Sequence, residues 1–479
     1  MDGFLAEPRA WAEAQFGTAQ LGDVRRTRRL VEAAQQMAQL PGGSLPRLTE
    51  TWGDAKAAYR LFDCPEVTFD AVCQPHWALR HRCEPKTYWV ISDATEIDFG
   101  KYRRSAGLGP LNHGGGKGFM LHSALWVDAA SGALCGVAGA LLLTRSVKKS
   151  RKKHRRQKAA DSEALRWGRL IDRVGKPPSG TQWIHVMDRE ADNFEVFLHC
   201  REQACDWVVR VRTRLRKVFV QECGGQEQPL HEALDSAELR GHYDLDVPAQ
   251  AASAKGPARP ARSARMEVRT ATVWLPTPRR SSAYIESLGG PASAAARGLG
   301  TRGGCARGGG SGRVALVHVV AGDDVGRGAA GASIYEGRWI IEEYHKAIKT
   351  GTQVKSRQLQ TADRLAPLVG LSSVEAVRLV QLKTAARATP ERPASEVAPP
   401  VYEQVLEACR RKPKRKIESA GPMTVREFFR RLAMLGGFLG RKSDGEPGWQ
   451  TLWRGWEKLT LQVRGYLAAH PEPNLQRSG

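Results

Sequence analysis

Apolar side chains near the start of the chain recur at helical spacing. The run Leu30 to Leu40, LVEAAQQMAQL, predicts a helix that ends at Pro41-Gly42-Gly43. A second helical pattern, WGDAKAAYRLFDCP, begins near Trp52 and stops at Pro65. These two patterns predict a small helical unit over residues 8 to 75.

From Tyr88 onward the hydrophobic pattern becomes typical of strands. YWVISDATEIDF is a short β-rich run, and FMLHSALWVDAASGALCGVAGALLL predicts paired strands with a turn at Ala129 to Gly132. Helical spacing returns in YEGRWIIEEYHKAIKTG, in LAPLVGLSSVEAVRLVQLKTAA, and in the tail from Thr424 to His470. The order of these patterns predicts an α/β central region between two helical ones. Further strands are predicted in TQWIHVM, WVVRVRTR and MEVRTATVWLP, the first of them followed by a helix.

Residues 289–332 differ from the rest of the chain in composition. They contain 14 of the 49 glycines, and no acidic residue occurs between Glu286 and Asp323. The composition predicts a flexible loop, although structureless insertions of this length are uncommon in compact domains. Two explanations stay open: a pair of compensating frameshifts in GC-rich coding DNA, or a genuine low-complexity loop.

The balance of charge points to a polyanionic partner. Lys and Arg number 73 against 50 Asp and Glu, which gives a formal net charge of +23. Nucleic acid is the simplest such partner, and a basic but otherwise indifferent protein is the alternative. Four arginines cluster in the segment LGDVRRTRRL, where they predict either a solvated helix start or a DNA-contacting helix: Arg25, Arg26, Arg28 and Arg29.

Cysteine usage and hydropathy argue for a cytoplasmic protein. The nine cysteines are scattered and include no C-x-x-C pair, which fits reduced thiols better than a zinc site or a disulfide framework. The longest apolar stretch, Gly132 to Leu143, is shorter than the roughly 18 to 20 residues of a membrane span. We therefore expect no membrane partner.

Three carboxylates stand out by their positions. Asp93 and Asp188 each follow an apolar run and are predicted to end a buried strand, and Glu342 lies on a later helix. Buried unpaired carboxylates are costly, so two strand-end aspartates call for a cation or a basic partner. Hard oxygen ligands suit Mg²⁺ or Mn²⁺, and two ions about 4 Å apart could activate the attack on a phosphodiester.

The helix that carries Glu342 has a more specific pattern, Y-x2-R-x3-E-x6-K. On an ideal helix Arg338, Glu342 and Lys349 lie at about 300°, 340° and 320° from Tyr335, so all four share one stripe. A carboxylate flanked by groups that bind phosphate is one interpretation. A surface helix stabilised by i,i+4 ion pairs, such as Arg338 with Glu342, is the other.

These residues resemble a known family. The segments Ile91-Ser92-Asp93-Ala94-Thr95 and Met187 to Asp192, with Tyr335 to Gly351, are similar to bacterial cut-and-paste transposases of the DDE class, insertion-sequence family four, the Y-R-E-K signature group. LGDVRRTRRLVEAAQQMA and LGGFLGRKSDGEPGWQTLWRGWE resemble that family's end-recognition and dimer-forming regions. The likeness covers nearly the whole chain except 289–332.

The resemblance implies an RNase H-like α/β catalytic core with an inserted β-subdomain, flanked by helical N-terminal and C-terminal domains. The implied domains are an end-recognition domain at 1–75, a core at 76–385 with the insertion at about 205–333, a basic Pro-rich linker at 386–422, and a dimerisation region at 423–479.

The resemblance also implies the chemistry. Asp93, Asp188 and Glu342 would bind two Mg²⁺ ions, with Mn²⁺ as a substitute. Phosphate and DNA contacts would come from Tyr335, Arg338, Lys349 and Arg189, with Glu190 close by, and from Arg25, Arg26, Arg28 and Arg29. The partners would be double-stranded DNA, as inverted-repeat ends and as target, and a second copy in a synaptic dimer at the bacterial nucleoid. The implied reaction is end cleavage through a hairpin, followed by strand transfer.

One departure from the family keeps other functions open. The segment from Pro291 to Ser333 has no Trp, Phe or Tyr, so the aromatic residue that stacks on a flipped base cannot be carried over. A catalytically defective, DNA-binding and dimerising derivative is therefore the alternative, and an RNase H-like nuclease without strand transfer is the third. We expect core or dimer packing, more than DNA stacking, from Trp449, Trp453 and Trp456.

Overall fold

A computed structural model defines the fold. The ranges it describes are 5–40, 42–100, 104–112, 115–145, 165–211, 215–220, 226–247, 249, 257–276, 283–287, 300–308, 313–319, 334–409, 421–441 and 444–470. The basic run at 147–158 and the basic residues at 410–420 lie outside them.

The N-terminal region is helical, as predicted. Its helices are α1 (Pro8–Phe16), α2 (Val24–Gln39), α3 (Leu45–Leu48), α4 (Trp52–Phe62) and α5 (Phe69–Ala78). Short polar side chains start three of them: Asp23, Thr51 and Thr68 accept hydrogen bonds from backbone N–H groups in the first turns of α2, α4 and α5. Their apolar faces join the main hydrophobic core.

The central region is built on one ten-stranded mixed sheet. Its strands are β1 (Thr87–Asp98), β2 (Gly109–Pro110), β3 (Lys117–Asp128), β4 (Leu134–Leu143), β5 (Gln182–Met187) and β6 (Asp206–Val211), and, after the small β7 (Lys217–Val218) and β8 (Gln228–Pro229) pair, β9 (Leu239–Val247), β10 (Arg262–Trp274), β11 (Gly300–Gly308) and β12 (Arg313–Val319). The order is β2-β3-β1-β5-β6-β12-β11-β10-β9, and β4 also pairs with β3. β1, β5 and β6 are parallel, whereas the other pairs are antiparallel.

Helices cover both faces of this sheet. Alternate residues of β1 divide between the faces, so Ile91 packs in the core with α5 and the later helices, while Val90 packs on the opposite side with α6 (Arg166–Val174). The other helices in this part of the chain are α7 (Phe194–Glu202), α8 (Leu230–Asp235), α9 (Ala283–Ser287) and α10 (Trp339–Lys346). The region is therefore α/β.

Helix α11 (Ala362–Ala388) runs through the middle of the protein. It is long and apolar enough to cross a membrane by length and composition, yet 89% of its most apolar window is buried within the protein. Arg378 on this helix donates to the Ala6 carbonyl and lies against the rings of Trp11 and Trp456. These contacts join the first and last parts of the chain into one core.

The C-terminal region adds α12 (Pro400–Ala408), α13 (Val425–Leu435) and α14 (Trp449–Ala469). Helix α12 lies in the predicted linker 386–422, and its Tyr402 packs edge-to-face on Trp456. The first part of that segment is thus folded against the core. Core packing of the C-terminal tryptophans is confirmed, because all three are buried: Trp449, Trp453 and Trp456.

The glycine-rich segment is not wholly a loop. Strands β11 and β12 lie within 289–332, where β11 pairs with β10 and β12 pairs with β6. The prediction of a flexible loop was wrong for these strands, because their backbone groups pair with strands on both sides, and backbone pairing does not depend on a hydrophobic pattern. The rest of 289–332 lies outside the described residues.

Candidate carboxylate site and nucleic-acid interface

Asp93 and Asp188 occupy equivalent places on neighbouring parallel strands. In the β1–β5 register Ile91 lies opposite Val186, and each aspartate follows two residues later. Side chains two residues apart share a face, and the backbone at Asp188 is still extended. Asp93 does not end its strand as predicted: β1 continues to Asp98, because β3 pairs with it along that whole length.

Arg338 joins Asp93 to Glu342. One guanidinium nitrogen, Nη1, lies 2.7 Å from Asp93 Oδ2, and Nη2 lies 2.7 Å from Glu342 Oε1. The arginine side chain is largely buried, whereas Glu342 is exposed. The structure thus brings together three residues that lie 245 and 4 positions apart in sequence.

Burial raises the pKa of the Asp93 carboxyl above its ordinary value, although the charge of Arg338 and the backbone N–H of Ala94 oppose the shift. The negative charge of Asp188 raises this pKa further, which shows that the two aspartates interact. A second positive charge at this point would therefore be favourable.

The donor chemistry fits a hard divalent cation. Asp93 and Glu342 already share one cationic group, and Asp188 lies beside Asp93. Asp188 Oδ1 also accepts a 2.8 Å hydrogen bond from the backbone N–H of Glu190. Within the described ranges no three His, Cys, Asp or Glu side chains form a ready metal cluster. Arg338 lies between two of the carboxylates, so it must move for one ion to contact all three.

The Y-R-E-K residues do not lie on one ideal helix. A single turn at 334–336 is followed by a break at 337–338, then α10, and then a π turn over Ala347–Gly351. Tyr335 keeps its predicted relation to Arg338, whose Cζ lies 5.7 Å from the tyrosine ring centre. The ideal-helix angles predicted for these residues do not hold, because the helix is interrupted at 337–338 and a π turn contains Lys349.

Lys349 is half-buried in this π turn. Burial lowers the pKa of its ammonium group, and the charge of Lys355 lowers it further, while Glu96 opposes the shift. Its charged neighbours are therefore Lys355 and Glu96. The positive charge of Lys355 is thus near enough to act on Lys349.

Arg189 and Glu190 follow Asp188 directly in a 3-10 turn, Arg189–Ala191. Arg189 is exposed. Glu190 forms an ion pair with the buried side chain of Arg166. Arg189 is thus open to a ligand beside Asp188, whereas Glu190 is held by the protein.

The four arginines of α2 divide into two groups. Arg26 pairs with Glu66, and Arg29 pairs with Glu32 and Asp54, so both tie α2 to its surroundings. Arg25 pairs with Asp23 but remains exposed, and Arg28 is exposed without an ion pair in the described part of the chain. Arg25 and Arg28 are thus the more exposed of the four.

An exposed stripe on α4 was missed at the sequence level. Trp52, Lys56, Tyr59 and Arg60 lie at positions i, i+4, i+7 and i+8, and all four are exposed. The Trp52 side chain is 67% exposed, with Lys56 Nζ 5.7 Å from its ring centre. The signal in the sequence is the spacing of aromatic and basic residues within WGDAKAAYR, the same run that predicts the helix.

The C-terminal helices also present apolar side chains to solvent. Leu461 and Leu467 on α14 are each 48% exposed, and Met434 and Leu439, at and after the end of α13, are exposed as well. Contiguous exposed apolar patches are typical of protein–protein contacts, and these side chains are candidates for one.

Known families match the two ends of the chain. Residues 8–67, which contain α1 to α4, match the family described as Transposase DNA-binding. Residues 374–472, from within α11 to the end of α14, match the Transposase Tn5 dimerisation domain. The matches at the two ends of the chain support a Tn5-type transposase that binds DNA and dimerises.

Proposed function

We propose that this protein is a cut-and-paste DNA transposase of insertion-sequence family four. It recognises the inverted repeats of its element in the bacterial cytoplasm, pairs them in a synaptic dimer, cleaves them, and joins them to target DNA. The observation that carries the catalytic part is the contact of Arg338 with both Asp93 and Glu342, beside Asp188. We take β1, β3, β4, β5 and β6 with their covering helices as the RNase H-like core, and the segment after β6 as its insertion.

Asp93, Asp188 and Glu342 would hold Mg²⁺, or Mn²⁺ in its place. Bound there, the metal supplies an activated oxygen nucleophile and stabilises the charge of the leaving oxygen. In the structure Arg338 is bound by the carboxylates of Asp93 and Glu342. A cation that neutralised these carboxylates would release the guanidinium, which could then bind a phosphate oxygen. Arg189, directly after Asp188, and Lys349, in the π turn after α10, would orient the DNA backbone.

The test of this function is cleavage of a supercoiled plasmid that carries the inverted repeats flanking the gene. We expect Mg²⁺-dependent breaks at the ends of the repeats and excision of the segment between them. Cleavage at unrelated positions only would favour the simple nuclease instead.

A second function has one observation in its favour. The segment from Pro291 to Ser333 lacks any aromatic residue for base stacking, so a protein that binds ends and dimerises without cutting is consistent with the chain. End binding without cleavage in Mg²⁺ or Mn²⁺ would identify that derivative.

The exposed stripe of α4 is proposed as the DNA-contacting face of the N-terminal domain. We expect Lys56→Ala and Arg60→Ala each to weaken end binding, and to reduce the slope of log K against log salt by about 1 per lost phosphate contact. Binding titrations at several salt concentrations measure this. The control is Arg9→Ala on α1, which removes an exposed arginine paired with Glu13. Slopes equal to that of the control would exclude α4 from the interface.

The exposed leucines of α14 are proposed as part of the dimer contact. We expect Leu461→Glu with Leu467→Glu to shift the protein from dimer to monomer in light scattering, because charged groups cannot be buried there cheaply. Leu215→Glu is the matched control, since Leu215 is an exposed leucine outside the dimerisation domain. An unchanged dimer in the double variant would place the contact elsewhere.

A further inference from the structure

Glu343, the residue after Glu342, forms a cluster with two side chains of the dimerisation domain. Its Oε2 accepts hydrogen bonds from Lys383 Nζ on α11 and from Trp449 Nε1 on α14, the latter at 2.9 Å. Lys383 Nζ also lies 4.7 Å from the centre of the Trp449 ring. Carboxylate, ammonium and indole therefore contact one another at the meeting point of α10, α11 and α14.

This cluster is largely shielded from water. The side chains of Glu343 and Lys383 are 15% and 8% exposed, and Trp449 is buried. Charge-assisted hydrogen bonds in such surroundings are stronger and more directional than those at the surface. The other partner of Glu343 is Lys346, which is well exposed and contributes little to positioning.

Helix α10 depends on such contacts for its orientation. It has eight residues, begins at Trp339 without a side-chain cap from Arg338, and continues into a π turn. Its first turn is tied to β1 through the contact of Arg338 with Asp93, and the π turn is buried in the main core. Beside the cluster, a hydrogen bond from the Tyr344 hydroxyl to the Ser373 carbonyl also holds it to α11.

The orientation of α10 sets the direction of Glu342. Consecutive residues on a helix point about 100° apart, so Glu343 faces α11 and α14 while Glu342 faces Arg338 and Asp93. A small rotation of α10 would move the Glu342 carboxylate away from Asp93. Displacements near 1 Å at a reacting site cost about 10²-fold in rate.

We propose that Glu343 is a positioning residue through which the dimerisation domain orients Glu342. Lys383 and Trp449 both belong to the segment that matches the Tn5 dimerisation domain, so the packing of that domain reaches the carboxylate site through one side chain. This inference rests on the proposed function for its catalytic consequence, whereas the mechanical link between α14 and α10 does not.

The test compares Glu343→Gln and Trp449→Phe with the control Lys346→Gln. Glu343→Gln keeps the size of the side chain but removes its charge, and Trp449→Phe removes only the indole donor. We expect Glu343→Gln to lower the single-turnover cleavage rate about 10-fold or more, Trp449→Phe to lower it less, and both to keep the Kd for end DNA within about 2-fold. Hydrogen exchange should become faster at residues 339–346 in both variants, and Lys346→Gln should match the parent protein.

The charge swap Glu343→Lys with Lys383→Glu provides a rescue. It should recover part of the rate lost in Glu343→Lys alone, because the ion pair between α10 and α11 is restored. The proposal would be overturned if Glu343→Gln left both the cleavage rate and the hydrogen exchange at 339–346 unchanged. It would also be overturned if binding to end DNA fell by the same factor as the cleavage rate. If the parent protein does not cleave DNA, the proposed function fails, and hydrogen exchange at 339–346 alone decides this inference.

Discussion

Replacing Asp188 with Asn is expected to abolish DNA cleavage, with a rate loss of about 10³-fold or more, while binding to end DNA stays within about 2-fold of the parent. Asp188 lies beside Asp93 at the same face of two parallel strands, where its negative charge raises the pKa of Asp93. An amide keeps the size of the side chain and removes the charge that would hold the cation. Plasmid cleavage and an end-binding titration on the same preparation measure the two effects.

Glu336→Gln is the control for this variant. Glu336 is an exposed carboxylate of the same segment, six residues before Glu342, and it forms no ion pair with the described residues. We expect it to cleave DNA at the parent rate. Cleavage by Asp188→Asn at a rate near that of this control would remove Asp188 from the site.

Replacing Trp456 with Ala should lower the free energy of unfolding by about 3–5 kcal/mol, the largest loss of stability expected among the variants proposed for this protein. Trp456 is 1% exposed, and its Nε1 donates a 2.9 Å hydrogen bond to the Ala38 carbonyl at the end of α2. Its ring also packs on Tyr402 and beneath the buried guanidinium of Arg378. The substitution leaves a cavity and removes a contact of that buried charge.

Chemical denaturation of Trp456→Ala and of Trp52→Ala compares the loss of a buried tryptophan with the loss of an exposed one. The difference between their free energies of unfolding then reports the effect of burial. Trp52 is 67% exposed, so its removal should change the free energy of unfolding by less than about 1 kcal/mol. We also expect α2 to lose hydrogen-exchange protection in Trp456→Ala, since α14 holds it through Ala38 and Gln39. Equal denaturation midpoints for the two variants would contradict the view that Trp456 joins the ends of the chain.

The elements that sequence predicted well are those with strong local patterns. Helix α2 shows a regular apolar stripe, and β5 is a short apolar run directly before Asp188. The direct contact of Arg338 with Glu342 followed from i,i+4 spacing, which depends on one helix alone. Such features need no information from distant parts of the chain.

The features that sequence missed depend on tertiary partners. The ion pairs of Arg26 and Arg29, both predicted as DNA ligands, involve Glu66 and Asp54 on other segments, and no local pattern reports those pairs. Strand β1 continues past Asp93 because β3 pairs with it, and no local pattern reports that pairing. The π turn that contains Lys349 likewise carries no sequence signal, since its residues pack against α11 and α14.

The arrangement of β11 and β12 shows the same limit. The sequence of β11, GTRGGCARG, is dominated by Gly and Arg, which favour neither strand nor core, whereas β12, RVALVHV, is rich in strand-forming valines within a glycine-rich segment. Backbone pairing with β10 and β6 nevertheless places them in the main sheet. The coding DNA of 289–332 decides between the two origins of that sequence, because an adjacent frame that encodes a strand-like aromatic segment would identify a frameshift.

Binding of Mn²⁺, measured by electron paramagnetic resonance titration with end DNA present, tests the central claim most directly. We expect tight Mn²⁺ binding to the parent protein and to Glu336→Gln, and loss of that binding in Asp93→Asn, Asp188→Asn and Glu342→Gln. Equal Mn²⁺ binding by the parent and these three variants would show that the carboxylates around Arg338 do not form a metal site.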